Sequence, residues 1–284
     1  MELDVHRPLL LAPGEGETVS DRPERTLRIL ADLEQLIVTS FRYEPGEMGP
    51  DPHIHRLHSD AFYVLEGELE FTLGPDLKTI VGRPGTLAAA PPGVVHTFRN
   101  ASDATAIFLN IHAPSMGFGD YIRGRSKDFE QFDPPADGGR PFDDAVLSRP
   151  GEGERIKGRS TTIVKAGGSD CDGQLSIYET VLSAGNTGPP PHLHHRTAET
   201  FLVLDGTFVF TLGDERMVLE PGTFALVPPG LAHTFANGGG ASEARCLTIA
   251  GPTGVEVFIR EAVRAEPADL PELGARHDTI LQRS

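Results

Sequence analysis

Residues 53–67 read HIHRLHSDAFYVLEG, and residues 192–206 read HLHHRTAETFLVLDG. Each stretch opens with two histidines separated by one residue and then reaches a carboxylate, which is Asp60 in the first stretch and Glu199 in the second. Each then continues through apolar residues to a glycine. A short pattern made of metal-ligating side chain types therefore occurs twice in this chain.

A second pattern follows each of these stretches. Residues 85–100 read GTLAAAPPGVVHTFRN, and residues 222–237 read GTFALVPPGLAHTFAN. Each contains one further histidine, His96 in the first copy and His233 in the second, after a Pro-x-Gly turn that aims it inward. We expect the asparagine that ends each stretch to stabilise the turn that follows.

The repeat extends well beyond these patterns, so the repeating unit is a whole domain rather than a short solenoid repeat. Pro13–Glu17 reads PGEGE and reappears as Pro150–Glu154. A length of 284 residues suits two domains of ordinary size. We predict an N-terminal domain at 1–130, a linker rich in Pro, Gly and Asp at 131–150, and a C-terminal domain at 151–284.

The segments inside each copy indicate an all-β fold. Runs of β-branched and aromatic residues alternate with turns, and the chain contains 32 glycines and 24 prolines. This pattern is typical of an antiparallel sandwich or barrel. Short helices are predicted after each barrel, at Gly117–Lys127 and Val255–Ala265, with one more at Leu270–Leu281 on the outside of the second barrel.

Composition excludes several classes of function. The formal net charge of −16 disfavours binding to nucleic acid and to an anionic membrane surface. No stretch approaches the roughly 18–20 apolar residues of a membrane helix, and the first residues lack the features of a signal peptide. We therefore expect a cytoplasmic protein in which Cys171 and Cys246 are reduced and packed.

The repeated side chains predict one divalent transition metal in each domain. Residues i and i+2 of a strand point to the same face, so the paired histidines project together. Three imidazoles and one carboxylate suit Fe, Mn, Ni, Co or Zn, whereas calcium prefers oxygen ligands. Asp60 is one methylene shorter than Glu199, so it either ligates at a different angle or stands off from the metal. The predicted ligands are His53, His55, Asp60, His96, His192, His194, Glu199 and His233.

These motifs resemble those of the cupin superfamily, G-x5-H-x-H-x(3,4)-E-x6-G and G-x5-P-x-G-x2-H-x3-N. The second motif matches at every named position in both halves, and the first matches from its histidines onward, apart from Asp60. The opening glycine of the first motif, Gly46 in one copy and Gly185 in the other, lies one residue further from the histidines than the pattern prescribes. The resemblance implies a bicupin of two tandem jelly-roll β-barrels, each with a metal at its mouth.

Within that superfamily the chain is similar to the quercetin 2,3-dioxygenase-like group. The residues that carry this resemblance are FYVLEG at 62–67 and FLVLDG at 201–206, together with the predicted helix after each barrel. The resemblance implies an oxidoreductase that acts with dioxygen on a small enol, flavonol-like or diketone substrate. It assigns Glu199 two roles, as a metal ligand and as the catalytic base that takes the proton of an acidic substrate hydroxyl. Asp60 would play the same part in the first barrel.

Two other functions remain open. One is a non-redox, metal-dependent isomerase or lyase acting on a sugar or keto acid, and the other is a non-catalytic bicupin that binds a small molecule. Oxalate decarboxylases carry tryptophan near these motifs, and this chain contains none, which disfavours decarboxylation. Because cupins of this type often pack barrel against barrel, the resemblance is also compatible with an intramolecular pseudo-dimer and with a homodimer.

Several further residues flank the predicted ligands. His195 should point away from the site, His58 could hydrogen-bond to it, and His112 is most simply an edge residue. The acidic run at Asp128–Asp133 is most simply a solvated face. Aromatic residues in both copies are candidates for lining a substrate cavity; they are Phe41, Tyr43, Phe62, Phe98, Tyr178, Phe201 and Phe235.

Overall fold

The apolar and β-branched runs of the sequence form strands throughout the chain. The computed structural model of the protein describes residues 8–239 and 242–282. The strands are, in chain order, β1 (Leu9–Leu11), β2 (Glu17–Asp21), β3 (Arg25–Asp32), β4 (Ile37–Tyr43), β5 (Ser59–Glu66), β6 (Leu69–Leu73), β7 (Lys78–Gly82), β8 (Leu87–Ala90), β9 (His96–Arg99), β10 (Ala106–Ala113), β11 (Val146–Ser148), β12 (Glu154–Lys157), β13 (Thr161–Ala166), β14 (Ser176–Leu182), β15 (His192–Leu193), β16 (Ala198–Asp205), β17 (Phe208–Leu212), β18 (Glu215–Leu219), β19 (Phe224–Val227), β20 (His233–Asn237), β21 (Ala244–Gly251) and β22 (Ile280–Leu281).

The strands form two sheets in each half of the chain, and all of their pairings are antiparallel. In the first half the larger sheet has the order β11-β8-β5-β10-β4-β3-β2, and the smaller sheet has the order β7-β6-β9. In the second half the corresponding orders are β1-β19-β16-β21-β14-β13-β12, which includes β1 from the start of the chain, and β18-β17-β20-β15-β22. Each pair of sheets encloses an aromatic and aliphatic core. The predicted all-β architecture of two tandem jelly-roll barrels is confirmed.

The chain divides into two units that exchange segments at their boundaries. The first unit consists of Gly16–Glu152 and Ser169–Gln174, and the second consists of residues 8–15, 153–168 and 175–282 within the described ranges. This division differs from the predicted domains. Strand β1 precedes the first copy of the repeat but pairs with β19 of the second unit, and β11, inside the predicted linker, pairs with β8 of the first unit.

The motif glycines at the hairpin turns are required by the backbone. Gly67 and Gly206 both have φ near +69°, a region that L side chains rarely adopt. A Cβ atom on Gly67 would collide with the carbonyl oxygen of Thr105, and one on Gly206 would lie 2.6 Å from that of Glu243. These turns place the ligand-bearing strands β5 and β16 in register with their neighbours.

The helices are short. Within residues 8–239 and 242–282 they are α1 (Phe118–Ile122), α2 (Val255–Ala262) and α3 (Leu270–Arg276), and a 3₁₀ turn spans Phe142–Asp144. The prediction of a helix as far as Leu281 is wrong, because the chain reverses at Asp278, where φ is 58°, and β22 then pairs with β15. Among the described residues no helix is long and apolar enough to cross a membrane.

Candidate metal centres

The structure brings the predicted ligands together in two buried groups of four. His53, His55, Asp60 and His96 form the first group, and one ligand atom from each lies within 4.8 Å of the others. His53 lies opposite His96 in an isolated β-bridge, while Asp60 comes from β5 of the other sheet. The first centre therefore lies where the two sheets of the first unit meet.

The second group repeats this arrangement in the second unit. His192, His194, Glu199 and His233 also lie within 4.8 Å of one another, counted on one ligand atom each. His192 of β15 lies opposite His233 of β20, and Glu199 projects from β16. Asp60 lies in the same position as Glu199, so the shorter carboxylate does not remove the first site.

Backbone carbonyls orient all six imidazoles. In each ring Nδ1 lies within hydrogen-bond distance of a carbonyl oxygen, so Nδ1–H donates and the lone pair of Nε2 points into the centre. The distances are 2.8 Å for His53 to Asp51, 2.6 Å for His55 to Glu130, 3.0 Å for His96 to Val94, 2.9 Å for His192 to Pro190, 2.8 Å for His194 to Asp278 and 3.2 Å for His233 to Leu231.

This geometry fits a metal cation. Nε2 of His55 is buried and makes no hydrogen bond to any described residue, and it lies 3.7 Å from the Asp60 carboxylate. Nε2 of His194 and Nε2 of His233 each lie 2.9 Å from Oε2 of Glu199, and Nε2 of His96 lies 3.1 Å from the Asp60 carboxylate. Buried lone pairs that converge on a carboxylate need a positive charge between them, and a divalent metal supplies it.

The protonation states favour metal binding as well. Burial alone would raise the pKa of Glu199, but the adjacent His194 and His233 hold it well below the usual value, and Asp60 behaves in the same way beside its own histidines. Burial lowers the pKa of His192 to about 3. Burial lowers the pKa of His53 to about 3 as well, so at neutral pH each centre holds an ionised carboxylate and at least one neutral imidazole, which are the forms that ligate metals.

The two carboxylates are supported by different residues. The hydroxyl of Tyr178 on β14 donates to Oε1 of Glu199 at 3.0 Å. In the first unit the amide of Asn110 on β10 donates to Oδ1 of Asp60 at 2.5 Å. The residue at the position of Asn110 in the second unit is Thr248, because β10 and β21 pair in the same register with β5 and β16.

A chain of buried polar groups extends from Asn110 in the first unit. Its side-chain oxygen lies 3.1 Å from Nε2 of His112, whose Nδ1 lies 2.9 Å from Nε2 of His58. Nδ1 of His58 in turn lies 2.9 Å from the carboxylate of Glu130. His58 and His112 thus belong to the surroundings of the first centre, whereas His195 of the second unit is exposed as predicted.

One acidic residue after each barrel closes the loop that carries the paired histidines. The Glu130 carboxylate accepts hydrogen bonds from the backbone N–H groups of Arg56 and Leu57. Asp278 does the same for residues 195–197. Glu130 is therefore not part of a solvated face, and neither residue was recognised from sequence because both lie far along the chain from the histidines.

Each centre opens to a cavity. The first cavity has a volume of ≈ 600 Å³, and Phe41, Tyr43 and Phe98 line it with His53 and Asp60. The second has a volume of ≈ 380 Å³, and it is lined by Tyr178 and Phe235 beside His192 and Glu199. Two of the predicted lining residues pack in the cores instead, namely Phe62 and Phe201.

Comparisons with known proteins agree with this fold and site. The cupin domain family matches residues 39–112 and 178–250, and each match contains one complete group of ligands. A segment of 92 residues is 40% identical to quercetin 2,3-dioxygenase of Bacillus subtilis (strain 168), covering 31% of this chain. That segment spans only 26% of the relative's own length.

Solved structures share the architecture across most of the chain. Protein Ylba from E. coli superposes with a TM-score of 0.63 at 14% identity, covering 88% of this chain and 93% of that one. Oxalate decarboxylase from Lactobacillus farciminis superposes with a TM-score of 0.59 at 12% identity, covering 92% and 95%. At such identities the likeness shows the fold alone. With one matching domain in each half, the chain belongs to the cupin family as a bicupin.

Proposed function

We propose that the protein is a metal-dependent dioxygenase of the quercetinase-like bicupin type, acting on a small enol, flavonol-like or diketone substrate. The observation that carries the proposal is the position of Glu199. Its carboxylate is buried and ionised, it lies between Tyr178 and two imidazoles, and it borders an apolar cavity of ≈ 380 Å³. The 40% identity with a quercetin 2,3-dioxygenase over 92 residues supports the same function.

Each barrel would hold one divalent metal, with Fe, Mn, Ni or Co preferred and Zn also suited to the ligands. The ligands would be the three histidines and the carboxylate of each group. When bound, the metal supplies a Lewis acid that stabilises an enolate oxygen and a centre for dioxygen chemistry.

Glu199 would act as the base of the reaction. Its Oε2 faces the imidazoles, so Oε1 is the atom that receives the proton of the substrate hydroxyl. The Tyr178 hydroxyl donates to that same oxygen and keeps the carboxylate in one orientation. Asp60 would be the base in the first barrel, where Asn110 donates to its Oδ1. We rank the second barrel as the principal site because Glu199 matches the carboxylate of the cupin motif, whereas Asp60 departs from it.

The walls of the second cavity suit an aromatic substrate. Val255, Phe258, Ile259 and Ala262 of α2 line the cavity, and they add apolar surface to that of Phe235. Such a lining excludes water from the reacting oxygen and stabilises flat apolar rings. A flavonol or an aryl diketone combines these rings with the acidic enol that Glu199 requires.

The test is metal content together with oxygen uptake on a panel of flavonols and β-diketones, using protein purified without chelator. We expect Fe, Mn, Ni or Co and consumption of oxygen, with Glu199→Gln losing far more activity than Asp60→Asn. Equal losses would contradict the ranking of the barrels. Zinc without oxygen uptake would instead indicate a non-redox isomerase or lyase, and absence of metal after reconstitution would indicate a binding protein.

A further inference from the structure

The cavity of the first barrel differs from that of the second in the charge of its wall. Two arginines, Arg22 and Arg25, line the first cavity. Among the described residues that line it, Asp60 is the only acidic one. The side chain of Arg25 is 32% exposed, so its guanidinium lies at the rim rather than in bulk solvent. A basic rim over a metal centre favours an anionic ligand.

The sheet register identifies the counterpart of Arg25 in the second barrel. Phe41 and Thr180 are equivalent positions of the repeat, because each stands 12 residues before the first histidine of its pattern. Leu27 lies opposite Phe41 on β4, and Thr162 lies opposite Thr180 on β14. Two residues before Leu27 stands Arg25, and two residues before Thr162 stands Ser160, which also lines its cavity. The repeat therefore holds a cation at this position in one barrel and a neutral hydroxyl in the other.

A second cation borders the other cavity without reproducing this arrangement. Arg159 lines the second cavity, but it is exposed and lies in the turn before β13. Arg25 instead belongs to β3, two residues from Leu27, which also lines the first cavity. Of these two arginines, Arg25 is therefore the one that lies on the same strand face as another residue of its cavity wall.

Aromatic rings form the wall between Arg25 and the metal ligands. Phe41 and Tyr43 pack edge to face at 5.7 Å between ring centroids, and Tyr43 lies 5.9 Å from Phe98. Arg25 lies 6.0 Å from the centre of the Tyr43 ring. Its Nε is 3.5 Å from Glu47, and Arg25 also hydrogen-bonds the Tyr43 hydroxyl, so both contacts orient the guanidinium. The planar guanidinium group is the side chain that pairs best with carboxylates.

We infer that the first barrel binds an aromatic carboxylate, with the ring against Phe41, Tyr43 and Phe98 and the anionic group paired with Arg25. This ligand class differs from the neutral aromatic enol assigned to the second barrel. The inference rests on the proposed function because the metal ligands line the same cavity, but it does not require that the first barrel consume oxygen.

The test uses a matched pair of probes, 3-hydroxy-2-naphthoate and its neutral methyl ester. Binding of each is measured by fluorescence titration under argon, with the metal-loaded full chain. We expect the acid to bind about tenfold more tightly than the ester, which is the worth of one charge-assisted contact. Arg25→Ser, which copies the second barrel, should remove this preference, whereas Arg25→Lys should retain part of it.

Two further variants make the result specific. Arg28→Ser changes an arginine that neighbours Leu27 on β3 but does not line the cavity, so it should bind both probes as the unmodified protein does. Ser160→Arg should create a preference for the acid in the second barrel, raising the number of acid sites per chain. Thermal unfolding of each variant checks that it is folded.

Equal affinity for acid and ester, or equal losses in Arg25→Ser and Arg28→Ser, would overturn the inference. Oxygen uptake on flavonols, measured on the same preparation, is a separate readout. If the unmodified protein does not discriminate between the probes but takes up oxygen normally, the inference alone is refuted. Discrimination without any oxygen uptake would refute the proposed function and leave the inference standing.

Discussion

The hydroxyl of Tyr178 donates a 3.0 Å hydrogen bond to Oε1 of Glu199, and both side chains are buried. The first barrel meets the same need differently, because there Asn110 of β10 holds Asp60. Glu199 is thus supported by β14, which pairs with β21, whereas the shorter Asp60 is supported by β10, which pairs directly with β5. The two centres share their ligands but differ in what fixes the carboxylate.

Removing the Tyr178 hydroxyl should weaken the second centre. Tyr178→Phe keeps the ring but leaves Glu199 without its donor, so we expect metal affinity of the second barrel to fall about 10- to 100-fold. Isothermal titration of metal-free protein measures the loss. Tyr43→Phe, in the first unit, is the control and should leave the second centre unchanged; an unchanged affinity in Tyr178→Phe would contradict this role.

Asn110 should matter for stability as well as for metal binding. Asn110→Ala leaves one oxygen of the buried Asp60 carboxylate unsatisfied, which should cost about 1–3 kcal/mol in the free energy of unfolding. Asn110→Thr introduces the residue found at the equivalent position, Thr248, and should recover little, because the hydroxyl of Thr248 makes no hydrogen bond to the carboxylate of Glu199. Urea unfolding checks both variants, and a loss below about 0.5 kcal/mol would argue against this role.

Asp278 should be as important as a ligand although it touches no metal. Its carboxylate accepts hydrogen bonds from three backbone N–H groups, those of His195, Arg196 and Thr197. Asp278→Ala should therefore destabilise the protein by about 2–3 kcal/mol and loosen the second centre. Asp278→Asn, which tolerates the left-handed backbone, should lose less. The free energy of unfolding and metal affinity test this, and equal effects of the two substitutions would contradict it.

The ligands could be predicted from sequence because their geometry is local. His53 and His55 share a face through their spacing, and a Pro-x-Gly turn precedes His96. The supporting residues could not be predicted in this way, since Asn110 and Asp278 lie close to the centres only because strands that are distant in the chain pair with each other. Tyr178 was expected to line a cavity, but its bond to Glu199 depends on the placement of β14 beside β21.

The exchange of β1 and β11 was also beyond reach of the sequence. Both strands precede a PGEGE segment, and the repeat alone assigns each to the barrel that follows it. In the structure β1 instead pairs with β19, and β11 pairs with β8. Short strands carry too little pattern to specify which sheet edge they join.

Acid should destabilise the metal-free protein. Burial lowers the pKa of His53, His112 and His192 to about 3. Below about pH 6.5 the unfolded chain therefore binds protons that the folded chain refuses, and each such histidine lowers the free energy of unfolding by about 1.4 kcal/mol per pH unit. His194 opposes this: burial alone would lower its pKa, but the charge and hydrogen bond of Glu199, together with Asp278, outweigh burial and raise the pKa.

The carboxylates do not reverse this decrease in the free energy of unfolding between about pH 6.5 and 5. The pKa values of Asp60 and Glu199 are lowered by folding, so their stabilisation is fully present above the unfolded values and is lost only in stronger acid. Urea unfolding of metal-free protein at pH 7 and pH 5.5 measures the effect, with exposed His195→Asn as control. Stability that stays constant or rises on acidification would contradict the prediction.

The most direct test of two separate metal centres is a titration of metal-free protein with Co(II), followed by its visible absorption. We predict one equivalent per group of ligands, and therefore two per chain. His53→Gln with His96→Gln should abolish one equivalent, and His192→Gln with His233→Gln should abolish the other. Fewer than two equivalents in the unmodified protein, or a stoichiometry that neither pair of substitutions changes, would contradict the account.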